Sequence, residues 1–353
     1  MDSLQRPQQR SGGRGKRIAT TLLGGMLIGA PLLGILYSAV GVDHNLPLPP
    51  AIDAERQTFE SATAGKLSYY VDRSGQGRPL VLIHSINAGA SGYEMRPLFE
   101  HYRGKRPVFA LDLPGFGFSE RSDRSYSPRL YTAAIVDLLG RECASSGGAD
   151  VVVLSLGAEF AARAALEHPE LVSSLALLSP TGFSSRADQN ATERRSREGT
   201  ADRLYRAFAF PLWSQAFYDL LASRWSINYF LERSFVGPVD PGLAGYDYLT
   251  THQPGARYAP LYFVSGKLFS PDIREAVYGR LTQPVLVIYD QDAFVSFDVL
   301  PAFLQNHPNW RAMRLAPTRG LPQFEKPGET VGALDSFWKL CRDERSNNDG
   351  NRP

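Results

Sequence analysis

From Lys66 onward, short apolar runs alternate with stretches whose apolar residues recur at helical spacing. The runs at 80–84, 108–111, 151–154 and 285–289 are of the kind expected of strands covered on both faces. Weaker strands are expected near 67–71, 174–178 and 311–315, and 43–65 reads as a linker ending in a first edge strand. Helical spacing is clearest at 156–167 and 330–340. Strands alternating with helices predict an α/β domain built on a mostly parallel sheet with helices on both faces.

A different pattern precedes the domain. No charged residue occurs from Ile18 to Val42, which is long enough for a helix to cross a hydrocarbon core. Arg6, Arg10, Arg14, Lys16 and Arg17 precede it, so 1–17 is expected to be a basic cytoplasmic tail and 18–42 a single transmembrane anchor. The main domain would then be extracytoplasmic. The alternative is a cleaved secretory signal, whose apolar core is usually shorter, and a secreted product. Asn45 to Pro50 reads as an extended spacer, and 343–353 as a disordered tail.

Composition narrows the function. The 353 residues are 43% hydrophobic and 21% charged, which excludes disorder as the main state. A formal net charge of +2, with the positive excess at the N-terminus, offers no basic face for nucleic acid. The two cysteines, Cys143 and Cys341, match no metal-ligand spacing and are expected as unpaired thiols in helices. No metal and no cofactor is implied.

The chemistry gathers around one serine. Val151 to Leu154 is a strand run, Ser155 follows it, and Leu156, Gly157 and Ala158 open a helix. A sharp strand-to-helix turn lifts a serine oxygen above the sheet and aims the next backbone N–H at a substrate oxyanion. A serine capping a helix N-terminus makes the same local pattern. More of the chain fits the first reading. Leu80 to Ile86, Asp112-Leu-Pro-Gly-Phe-Gly-Phe-Ser119, Glu167-His-Pro-Glu170 and Pro284 to Val295 follow in order, and with Ser155 they resemble the α/β-hydrolase superfamily over about 67–340. The resemblance implies Ser155 as nucleophile, Asp292 as the triad acid, and the N–H groups of Leu156 and Ile86 as the oxyanion hole. His84 would be a structural residue beside the site. It also implies a core at 66–181 and 267–342 with a cap at 182–266 between its halves.

Three positions depart from the family's pattern. Val153 stands where the nucleophile motif has glycine, Ser85 where the oxyanion loop usually has one, and Gly320 where the catalytic histidine belongs. The last histidine of the chain is His307. Serine near neutral pH is a poor nucleophile without an adjacent base, and loss of that base costs on the order of a million-fold in turnover. Among the remaining histidines, His252 in the cap is the candidate replacement base. The cap opens with charge at Arg186, Glu193, Arg194, Arg195 and Arg197, then becomes aromatic from Tyr205 to Phe230. Most of those rings are expected to build the cap's own core and to leave an apolar roof over Ser155. The expected ligand is small and apolar. Three functions follow: a membrane-anchored hydrolase acting on an apolar ester or acyl compound, a non-catalytic binding protein for an apolar ligand or a protein partner, or a lyase or isomerase on the same fold.

Overall fold

The computed structural model describes residues 32–185 and 191–350, the side chains of 191–198 and 345–350 excepted. The core is one eight-stranded sheet in the order β1-β2-β4-β3-β5-β6-β7-β8. Its strands are β1 (Glu55–Ser61), β2 (Gly65–Asp72), β3 (Leu80–Ile83), β4 (Val108–Asp112), β5 (Ala149–Leu154), β6 (Val172–Leu178), β7 (Val285–Gln291) and β8 (Trp310–Arg319). Only β2 runs against the other strands, pairing antiparallel with β1 on one side and β4 on the other.

Side chains alternate across the sheet with a period of two residues, and each face has its own core. Val81, Ile83, Val151, Val153, Leu175 and Leu177 pack under α2 (Pro128–Glu142) and α3 (Gly157–Glu167). Leu80, Leu82, Val152, Leu154, Ala176 and Leu178 pack with α1 (Arg96–Tyr102) and the last long helix, Pro327–Gly350. α2 begins where Ser127 caps the Leu130 N–H and Pro128 occupies the first turn, a position that lacks an N–H partner in any helix. Cys143 lies in the first cluster and Cys341 in the second, so the sheet separates them and neither is in a disulfide. Cys143 sits just past α2 as its C-cap rather than within the helix.

Between β6 and β7 the chain forms α4 (Ala191–Phe208), α5 (Ser214–Leu221), α6 (Arg224–Ser234), α7 (Pro241–Thr251) and α8 (Tyr258–Val264), which cover the sheet's carboxyl edge. After them come α9 (Leu300–Gln305) and α10 (Pro327–Gly350). Three expectations are corrected here. The 343–350 segment is not disordered but continues α10, since extending a packed helix is far easier than nucleating one. The aromatic residues do not mainly build a cap core. The cluster proper to the cap is Tyr218, Ala222 and Ala256, while Phe210, Trp213, Trp225, Tyr229 and Phe230 are exposed, because each short cap helix has only one face to bury.

The 45–50 stretch is no free spacer. Leu46 donates its N–H to the His252 carbonyl, Gln253 donates to the Leu46 carbonyl, and the Tyr246 hydroxyl donates to the Pro49 carbonyl. Most of 18–42 lies outside the described residues, as does the tail 1–17; residues 32–41 are helical, and no helix among the described residues is long and apolar enough to cross a membrane.

Candidate active site

β5 ends at Leu154, and Ser155 then adopts φ +53°, a left-handed conformation that strains any residue with a side chain. The Ser155 N–H donates to the Leu178 carbonyl at 2.8 Å, which pins the turn to β6. The turn is crowded on its inner side. A Cβ on Gly157 would lie 2.7 Å from the His84 carbonyl oxygen and 2.9 Å from Val153 Cγ2, so the glycine after the serine is obligatory while Val153 fills the space before it. Among the described residues, the N–H groups of Leu156 and Ile86 donate to no other group. Both remain available to an oxyanion.

Asp292 follows β7. Its Oδ1 accepts from the N–H groups of Phe294 at 2.7 Å and Val295 at 3.2 Å, and burial pushes its carboxyl above the usual aspartate range. Gly320 follows β8 at φ +97°, and a Cβ built on it would lie 3.0 Å from Asp292 Oδ2. Ser155, Asp292, Gly320, Ser85 and Ile86 therefore meet in one cavity of about 270 Å³. Its outer wall is apolar and comes from the cap: Leu221, Ile227, Phe230, Leu231, Leu243 and Phe263.

No histidine lines this cavity among the described residues. His84 is fully buried behind it, where Leu113 donates to Nε2 at 2.9 Å and Nδ1 donates to the Ser85 carbonyl at 2.6 Å. Burial holds its imidazole down at about 4, so it is a neutral strut. His252 is not the replacement base. It closes the C-terminal end of α7, where its Nδ1 contacts the Tyr248 carbonyl at 2.7 Å and its ring stacks against Tyr248 and His44. The side chain is occupied by Tyr248 and does not line the cavity.

Four polar residues that the sequence did not single out also line the cavity: Asn87, Glu94, Ser234 and Asp247. Glu94 accepts from the Ser85 N–H at 2.7 Å, the Ser85 hydroxyl at 2.8 Å and the Asn87 side chain at 2.9 Å, which shapes the oxyanion loop. Asp247 falls on the buried stripe of α7 with Leu243, Tyr246, Thr250 and Thr251. That position, a lone acid in an apolar stripe, was the available signal.

Burial raises Glu94 from 4.5 to about 7. The folded state therefore keeps a proton that the unfolded chain releases, and the wild-type chain loses stability as pH rises through that window. Glu94→Gln should remove this slope, so its stability relative to wild type should climb between about pH 4.5 and about 7, by up to about 3 kcal/mol. Denaturant melts across that range check it; parallel curves for the two proteins would contradict it.

A sequence profile of the alpha/beta hydrolase family matches residues 80–333. The pimeloyl-[acyl-carrier protein] methyl ester esterase of Nitrosospira multiformis is 31% identical over 155 residues, covering 41% of this chain and 55% of that protein. An esterase of Mycobacterium tuberculosis is 32% identical over 176 residues, covering 44% of this chain and 57% of its own. The match thus spans little more than half the length of either relative. Among solved structures, a probable hydrolytic enzyme of Pseudomonas aeruginosa superposes with a TM-score of 0.65 at 17% identity, over 83% of this chain and 98% of that one. At that identity the likeness concerns the fold alone.

Proposed function

The chain belongs to the alpha/beta hydrolase family, and from that premise we propose that it binds a small ligand with an apolar body beneath its cap and hydrolyses esters through Ser155 at most very slowly. The observation that carries this reading is Gly320: its Cα faces Asp292 Oδ2 where an imidazole would have to stand, and no other histidine takes that place. Without a base the Ser155 hydroxyl keeps its proton, and neither the oxyanion N–H groups nor Asp292 can remove it for attack. What remains is a cavity with an apolar wall and a polar floor.

A second reading, slow acyl transfer at Ser155, is favoured by one feature. The strained φ of Ser155 persists although a serine in ordinary backbone would satisfy a binding pocket. One experiment separates the two. The unaltered chain should bind 1-octanol saturably, more weakly after Leu231→Trp fills the cavity, and should show no labelling by a fluorophosphonate and no ester hydrolysis above background. Prompt labelling at Ser155 would favour the catalytic reading.

The 18–42 run is proposed to hold the protein to a membrane as a single-pass anchor, with the domain on the extracytoplasmic side. The support lies at its described end. Leu32, Leu33, Leu36, Tyr37 and Val40 are exposed on the 32–41 helix, while Ser38 and His44 both hydrogen-bond Asp219 of α5. Apolar surface continues from there across the cap.

A further inference from the structure

The cavity is acidic and has no cation of its own. Glu94, Asp247 and Asp292 line it, and among the described residues no lysine, arginine or histidine does. The three acids differ in what they already hold. Asp292 accepts two backbone N–H groups and Glu94 accepts three donors from the oxyanion loop. Asp247 accepts none: it is 7% exposed, and its Oδ1 is buried without a hydrogen-bond partner. Its position is set by close packing, since a Cβ on Gly89 would lie 3.0 Å from Asp247 Cβ. The carboxyl therefore stands beside the oxyanion loop.

Arg121, which also reaches α7, does not serve it. It donates to Thr250 Oγ1 at 3.0 Å, among Asp112, Tyr218 and Tyr246, and does not line the cavity. A buried carboxyl left unpaired costs about 1–3 kcal/mol or more. The neighbouring Glu94 adds to that cost whenever both are ionised. Buried polar groups are nearly always satisfied, so one that stays orphaned in a cavity wall marks a partner supplied from outside the chain.

We propose that this cavity takes a cationic amphiphile, a primary ammonium on an apolar chain, with the ammonium paired to Asp247 and the chain lying against Ile227, Leu231, Leu243 and Phe263. The proposal rests on the reading of the cavity as a ligand site. Carboxyls that can give up a proton, with no cation beside them, favour a positive head over a fatty-acid anion, and the apolar wall sets the rest of the molecule. Burial and Glu94 hold the Asp247 carboxyl well above the usual aspartate range, which favours its protonated form in the empty cavity. An entering ammonium replaces that proton, which leaves to solvent; no covalent bond is made or broken.

The test is calorimetric titration of the full-length chain, kept in solution by an amphipathic polymer, with octylammonium, 1-octanol and octanoate near neutral pH. Octylammonium should bind at least about tenfold more tightly than octanoate, with release of a proton seen as a dependence of the heat on the buffer's ionisation enthalpy. Asp247→Asn should abolish that preference and the proton release, and a denaturant melt matching that of the unaltered chain reports an intact fold. Should Asp247→Asn fail to fold, Asp247→Ala serves in its place. Octanoate binding as tightly as octylammonium, or a preference that survives loss of Asp247, overturns the proposal. If 1-octanol binds without any ammonium preference, only the head-group assignment fails; if none of the three binds, the ligand-site reading fails with it.

Discussion

Gly320→His should render Ser155 reactive toward a fluorophosphonate that leaves the unaltered chain unlabelled, and should raise hydrolysis of a short p-nitrophenyl ester by at least about tenfold. The other parts are in place: Ser155 on its strained turn, Asp292 fixed by two backbone N–H groups, and the N–H groups of Leu156 and Ile86 unclaimed. A Cβ at 320 aims at the acid, 3.0 Å from Asp292 Oδ2. Supplying a base to a complete serine site is worth up to about a million-fold, but little of that is expected here. The φ of +97° at residue 320 strains any side chain by about 1–3 kcal/mol, and a ring must be held within about 0.5 Å to work. Gly320→Ala carries the same strain without the imidazole and should gain nothing. A folded Gly320→His chain that stays inert would mean that the serine and acid are not in working register.

Removing residues 1–42 should move the protein wholly from the membrane to the soluble fraction, whereas high salt or carbonate should leave the full chain membrane-bound. The physical basis is the uncharged run from Ile18 to Val42, long enough for a bilayer core that needs about 20 apolar residues. Attachment by apolar insertion is insensitive to salt, unlike attachment by surface charge. The described surface agrees in character. Beside Asp219, Leu220 is exposed, and the rings of Trp225, Tyr229, Phe230 and Phe294 touch in sequence up to the cavity wall. The domain should survive the truncation, because its buried apolar core begins at Ala51. Full-length protein in the supernatant of a carbonate wash would sink the anchor, and an unfolded truncated chain would show that Ser38 and its neighbours are structural.

Most of the sheet was legible because parallel strands must be apolar on both faces, and few other structures demand such short unbroken runs. Ser155, Asp292 and Gly320 were legible for another reason. Each lies at the carboxyl end of a strand, where order along the chain dictates position in space. Failures came where partners are remote in sequence. His252 is an available base on paper, yet His44 and Tyr248 claim it. The cap rings have helical spacing suited to a core, but whether a ring is covered depends on helix packing that spacing does not encode.

Local pattern alone thus determined the α/β class, the strand-to-helix turn at the serine and the lack of an imidazole at 320, since each depends on residues adjacent in the chain or on composition. Tertiary structure alone decided that Asp247 stands unpaired in the cavity beside Glu94, that the 45–50 segment is bound to the cap, and that Gly320 lies directly against Asp292. Those facts depend on which groups fill a given volume, and the groups come from segments that only the folded chain brings together.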